Sequence, residues 1–81
     1  MRKKDWNLIT QEANENYSVL IDEPDASTTY IGRAKLGTST SEAQWQIQKM
    51  VVEVNVTSIK WAEGDDAFNQ IWDNRTSLTY L

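Results

Sequence analysis

The chain contains neither cysteine nor histidine, and this absence limits how so short a sequence can be stabilised. A single domain of this size, 81 residues, buries only about 60% of the surface that its unfolded chain exposes. Without cysteine, no disulfide or thiolate-bound metal can cross-link it. Small domains without cross-links often gain stability from a partner subunit. We therefore expect an oligomer or a docked subunit, with a self-sufficient monomer as the alternative.

The same two absences restrict the chemistry that the chain can perform. Histidine and cysteine supply the usual acid–base groups and nucleophiles at neutral pH. Catalysis would depend on carboxylates, lysine, tyrosine or serine with unusual pKa values. The acidic group formed by Asp65, Asp66 and Asp73 is explained more simply by helix capping than by a metal site. We predict that the protein is not an enzyme and has no catalytic residue, cofactor or metal.

Charge and hydropathy exclude two further classes of partner. The net charge is −4, and the only basic cluster, Arg2-Lys3-Lys4, is followed at once by Asp5. Nucleic-acid-binding domains normally present a basic patch, so we predict no nucleic-acid partner. Purely apolar runs such as Val19-Leu20-Ile21 are three residues long, against about 20 for a membrane span. No apolar core follows the N-terminal charges, so we expect no membrane partner and synthesis in the cytoplasm.

Alternation of apolar and polar residues is typical of half-buried strands and recurs along the chain. The predicted strands are residues 17–21, 28–34, 45–52, 57–61 and 77–81. A turn around Pro24 ends the first, and Glu53-Val54-Asn55 is the predicted hairpin turn between the third and fourth. Phe68, Ile71 and Trp72 have helical spacing, which predicts a short helix over 66–74 capped by Asp65.

These elements predict a mainly β fold with one short helix, an α+β class. The body, residues 28–81, would be a small antiparallel sheet or partial barrel, with the helix near 66–74. Its expected core combines three tryptophans with other apolar residues: Trp45, Trp61, Trp72, Ile47, Ile59 and Phe68. Residues 1–27 would form an extended or partly helical N-terminal arm.

The arm is the candidate interface. From Asp5 to Asp25 it carries six acidic residues and no base, so it lacks the hydrophobicity to fold alone. It either becomes ordered against a neighbouring subunit or is a frayed terminus, and the sequence leaves both open. The predicted interface residues are Trp6, Leu8, Ile9 and Tyr17. Trp6 is the strongest candidate anchor, because tryptophan is enriched at interface hot spots.

From Tyr30 to Tyr80 the chain resembles a group of short proteins encoded by tailed bacteriophages. The shared elements are Tyr30-Ile31-Gly32-Arg33-Ala34, Gly37-Thr38-Ser39-Thr40-Ser41, Trp45-Gln46-Ile47, Trp61-Ala62-Glu63-Gly64-Asp65, Phe68-Asn69-Gln70-Ile71-Trp72-Asp73-Asn74-Arg75 and Ser77-Leu78-Thr79-Tyr80. The resemblance implies a phage origin and a role in the virion. It supplies no catalytic residues, and it does not place the protein in the capsid, the neck or the tail.

We therefore expect a multi-copy structural subunit of a bacteriophage virion, made in the host cytoplasm. Its expected partners are other virion proteins and copies of itself. One alternative is a free adaptor or inhibitor that binds a host protein. Another is a carbohydrate-binding module of a tail fibre, which would need an exposed aromatic platform.

Overall fold

The computed structural model describes residues 17–81, which form one antiparallel sheet followed by a 3₁₀ helix. The strands are β1 (Tyr17–Asp25), β2 (Thr28–Lys35), β3 (Ala43–Glu53), β4 (Val56–Trp61) and β5 (Gln70–Ile71), and the 3₁₀ helix is Trp72–Ser77. The first four strands lie in the order β1-β2-β3-β4, and β5 pairs with the start of β3. The predicted class is confirmed. The sheet is open, since β1 and β4 form opposite edges.

The sheet begins earlier than the sequence predicts. β1 runs to Asp25 and pairs with β2 from Tyr17–Lys35 to Asp22–Tyr30, so residues 17–25 of the predicted arm belong to the sheet. Pro24 does not stop the strand, because β1 is an edge strand and Pro24 has no partner residue in its pairing with β2. The register shifts between Asp22 and Asp25, at the proline. The body therefore starts at Tyr17, and residues 1–16 lie outside the described residues.

The predicted helix over 66–74 is wrong in position and type. Asp65 accepts a hydrogen bond from the backbone N–H of Ala67 at 2.8 Å, which holds this segment in a loop. The backbone of Ile71 pairs with Ala43 as part of β5, and the 3₁₀ helix begins only at Trp72. The predicted last strand, 77–81, is reduced to a single bridge between Ala62 and Tyr80.

The core lies on the side of the sheet that we call the front face, beneath the 3₁₀ helix. Its buried hydrophobic residues are Tyr30, Ala34, Trp45, Ile47, Ala62 and Trp72, with Leu20, Leu78 and Tyr80 packed against them. The Trp45 and Trp72 rings lie 5.9 Å apart, and Trp45 Nε1 donates a hydrogen bond to the Ser39 carbonyl at 2.9 Å. Both tryptophans thus belong to the core, as predicted.

The prediction also holds for Ile47, which is fully buried, but it is wrong for the other three residues. Ile59 is 56% exposed, Phe68 is 41% exposed and Trp61 is only half-buried. Ile59 and Trp61 do share one face of β4, but pairing with Met50 and Gln48 of β3 places them on the side opposite Trp45 and Ile47. The period-two pattern finds the residues that share a face, but it does not say which face the C-terminal segment will cover.

One ion pair joins the edge strand to the 3₁₀ helix. Arg75 Nε lies 2.9 Å from a carboxylate oxygen of Asp22, and the guanidinium stacks over the Trp72 ring at 4.6 Å. Arg75 also donates a hydrogen bond to the Trp72 carbonyl at 3.2 Å. The pair is partly exposed, so we expect it to contribute less than about 1 kcal/mol. Its main effect is to fix the helix over β1 and β2.

The hairpin turn between β3 and β4 contains a strained residue. Val54, 96% exposed, has φ = +49°, a region that β-branched residues rarely adopt. Asparagine tolerates this conformation, so Val54→Asn is expected to raise the free energy of unfolding by about 1 kcal/mol. Urea unfolding measures the change. The control is Val56→Asn, at an exposed strand position nearby, which should not raise the free energy of unfolding. If both changes raised it equally, backbone strain at Val54 would not be the cause.

Candidate functional site

The surface of the sheet opposite the core, which we call the back face, is unusually apolar. Cross-strand pairing places Ile21, Ile31 and Trp61 in one row with Gln48, and Met50 beside Ile59 in the next. The same alternation puts Val19 of β1 and Val52 of β3 on this face. An antiparallel sheet usually has one apolar face, which packs on the core, and one polar face, which is exposed to solvent. Here both faces carry apolar rows.

Much of this apolar surface is accessible. Ile59 is 56% exposed and Val52 is 42% exposed. Half-buried apolar side chains form the rest of the surface: Val19, Ile21, Ile31, Met50 and Trp61. Within residues 17–81, the 3₁₀ helix and the segment after it pack on the front face, not here. Contiguous accessible apolar patches mark protein–protein contact sites, so the back face is a candidate docking surface.

A loop, residues 65–69, covers one end of the back face. Gln46 on β3 donates a hydrogen bond to the Asp66 carbonyl at 2.8 Å, and the Phe68 ring packs on the Tyr17 ring at 5.6 Å. Beside these rings is an open depression of about 300 Å³, lined also by Lys35 and Gln44. The two rings are inclined by 45°, so they form a wall of the depression and not a flat aromatic platform.

The predicted interface residues are only partly placed by the structure. Tyr17 lies at the covered end of the back face, where its ring meets Phe68. Trp6, Leu8 and Ile9 lie outside the described residues, so their role stays a prediction. Sequence reasoning did not identify the back face. The signal was present in Val19-Leu20-Ile21 and Met50-Val51-Val52, since three consecutive apolar residues in a strand place apolar side chains on both of its sides.

Arg33 carries positive charge into the back face. It lies between Val19 of β1 and Gln46 of β3, one row from Ile31. Its Nε is buried and has no hydrogen-bond partner among the described residues. A buried donor without an acceptor costs about 1–3 kcal/mol, and more when it is charged. Lys35 projects from the same face two residues on, so this end of the surface favours an acidic ligand group.

The edges of the sheet offer less to a partner than the back face does. Near its end, β1 carries Asp22, Glu23, Pro24 and Asp25, the charges and proline that discourage pairing with another strand. The end of β4 is occupied, because Trp61 and Leu81 exchange backbone hydrogen bonds of 3.4 and 3.1 Å. Among the described strand edges, only short stretches at the starts of β1 and β4 are left. A partner would therefore gain more area on the back face.

A second depression lies on the front face, and the residues around it have a structural role. Lys49 and Lys60 are direct cross-strand neighbours, an arrangement that normally destabilises a sheet. The Lys49 ammonium, however, lies over the Tyr30 and Tyr80 rings at 5.8 and 5.6 Å. Burial raises the pKa of Tyr80 well above its usual range, and its hydroxyl donates a 2.8 Å hydrogen bond to the Arg75 carbonyl. These groups hold the C-terminal segment in place.

Comparison with known proteins identified no relative of this chain. No family model, curated protein or solved structure matches the chain. Within residues 17–81, no three acidic side chains lie close enough together to hold a metal ion. Nor does this part of the chain contain a helix with the length and hydrophobicity to cross a membrane. The candidate functional site therefore rests on the geometry of the back face.

Proposed function

We propose that this protein is a non-catalytic structural subunit of a bacteriophage virion that joins its neighbours through the back face. The apolar, accessible back face is the observation that carries the proposal. Its partners are other virion proteins and copies of itself, in the tail, neck or capsid surface. The phage assignment rests on the resemblance between Tyr30 and Tyr80. The protein is made in the host cytoplasm and acts in the particle.

The size of the back face suits a multi-copy subunit. Four strands about 4.8 Å apart and six residues long span a projected area on the order of 400 Å². A stable protein–protein interface buries about 800 Å² on each partner. One back face is therefore too small for a strong pairwise complex. Many copies on one scaffold, or a further segment added to the contact, would supply the missing area.

Two exposed residues of β4 allow a direct test of this proposal. Ile59 lies on the back face, whereas Val56 lies on the opposite side of the same strand, beside Glu53, and is 65% exposed. Ile59→Lys is expected to lower incorporation into particles at least tenfold, since burying an unpaired ammonium in an apolar contact costs several kcal/mol. Val56→Lys changes the net charge equally and should leave incorporation unchanged.

Quantitative mass spectrometry of purified particles measures incorporation, and circular dichroism confirms that both variants fold. Equal incorporation of Ile59→Lys and the native protein would refute docking through the back face. Absence of the native protein from purified particles would instead favour a free adaptor or inhibitor that binds a host protein.

A further inference from the structure

The depression at the covered end of the back face combines apolar and polar side chains. The Tyr17 and Phe68 rings form one wall, and Lys35 and Gln44 line the rest. Tyr17 and Lys35 are cross-strand partners on β1 and β2, and Gln44 lies near the start of β3. The volume of about 300 Å³ is at the lower limit for small-ligand sites. The depression can therefore receive a small group that is partly apolar and partly polar.

Arg33 adds a positive charge directly beside this depression. It lies on the same face as Lys35, two residues earlier on β2 and about 7 Å from it along the strand. Its Nε is buried and has no hydrogen-bond partner among residues 17–81. The 65–69 loop is fixed on both sides of Arg33, by the hydrogen bond from Gln46 on β3 and by the Phe68 ring on Tyr17 of β1. A buried cationic donor without an acceptor is costly, so an anionic group in the depression would lower that cost.

The charges around the depression favour a single carboxylate over a polyanion. Among residues 17–81, neither Arg33 nor Lys35 forms an ion pair, so no described carboxylate neutralises either charge. Asp65 and Asp66 lie on the covering loop, and the Asp65 carboxylate accepts hydrogen bonds within that loop at 2.8 and 3.5 Å. These two acids would repel a ligand that carries several negative charges. The inclined rings also give no flat surface on which a sugar could stack.

Resting on the proposed function, we infer that this depression binds one carboxylate of the docking partner, on an acidic side chain beside an apolar residue. The carboxylate accepts hydrogen bonds from Lys35 and Gln44 and lies next to the Arg33 guanidinium. The apolar neighbour packs on the Tyr17 and Phe68 rings. The site fixes the register of the partner on the back face, because charged contacts contribute mainly specificity and the apolar rows alone do not select one position.

Two blocked peptides test the inference on the full-length protein. One is acetyl-leucyl-glutamyl-leucine amide, and the other has glutamine in place of glutamate, which removes the charge and keeps the shape. NMR titration measures both affinities through the Tyr17 and Phe68 ring signals, and the Arg33 Nε–H signal reports a new acceptor. We expect the glutamate peptide to bind at least about tenfold more tightly, and it alone should shift the Arg33 signal downfield. No binding of the glutamate peptide, equal affinity of the two, or an unchanged Arg33 signal would overturn the inference.

One lysine variant on each face provides the matched control. Lys35→Gln should weaken binding of the glutamate peptide about threefold, whereas Lys60→Gln removes the same charge from the exposed front face and should leave the affinity unchanged. Equal effects of the two variants would show a response to net charge alone and would refute the site. Normal particle incorporation of Ile59→Lys together with tighter binding of the glutamate peptide would refute back-face docking and keep the carboxylate site. Loss of incorporation in Ile59→Lys together with equal affinity of the two peptides would refute only the carboxylate site.

Discussion

Gly32→Ala is expected to lower the free energy of unfolding by about 3 kcal/mol, the upper end of the usual cost of overpacking a core. Gly32 lies on β2 directly beneath the Trp72 ring. An added Cβ would lie 2.4 and 2.6 Å from Trp72 Cε3 and Cζ3, and 3.2 Å from Trp45 Cε3. Both rings are buried and in mutual contact, so neither moves away freely. Urea unfolding followed by tryptophan fluorescence measures the loss.

Two further variants show whether the ring causes the effect. Gly37→Ala adds the same methyl group where nothing lies within 4 Å, so only the backbone at φ = +86° is strained, at a cost of about 1 kcal/mol. Trp72→Leu removes the ring, and the additional cost of Gly32→Ala in that background should fall well below 3 kcal/mol. The steric explanation fails if Gly32→Ala costs as much with leucine at position 72 as with tryptophan.

Trp45→Ala is expected to cost about 3–5 kcal/mol, enough to leave little folded protein if total stability is at the low end of the range for small domains. The side chain is 1% exposed, packs on Trp72 and donates a hydrogen bond to the Ser39 carbonyl. Removing it opens a cavity at the centre of the core and leaves that carbonyl without its donor. Thermal unfolding should show a fall in Tm of more than 10 °C.

The matched control for Trp45→Ala is Trp61→Ala, which removes an identical side chain from the half-buried back face. It should cost less than half as much stability, and its larger effect should be on assembly. Trp45→Phe keeps most of the packing but loses the hydrogen bond, so it should cost about 1–2 kcal/mol. Equal destabilisation by Trp45→Ala and Trp61→Ala would contradict the assignment of the front face as the core.

Several features of the fold could be predicted because their signals are local. The alternation Trp45-Gln46-Ile47-Gln48-Lys49 predicts β3, and the next alternating run predicts β4, with the hairpin turn at Val54 and Asn55 between them. The helix over 66–74 was wrong for an equally physical reason. Phe68 and Trp72 have helical spacing, but the edge of β3 binds the backbone of Ile71 between them, and the two rings pack on opposite sides of the sheet.

The candidate site was harder to predict from the sequence than the fold. The segment containing Trp6 was identified from its own composition, and Tyr17 was placed beside it. The back face needed the register of four strands, because Ile21, Ile31, Met50 and Ile59 come from four separate segments. Each is an ordinary strand residue in its own segment. Only their alignment creates a continuous apolar surface.

Local sequence patterns are enough to establish that the chain is mainly β, where most of its strands run and which side chains share a face. These properties follow from the alternation of apolar and polar residues along a strand, a pattern formed by residues close together in the chain. Long-range packing sets which face becomes the core and which remains accessible. That choice depends on Trp72 packing onto Gly32, two residues forty positions apart, and only glycine leaves room there for the ring. No local sequence pattern predicts this contact, so the accessible back face could be identified only from the folded structure.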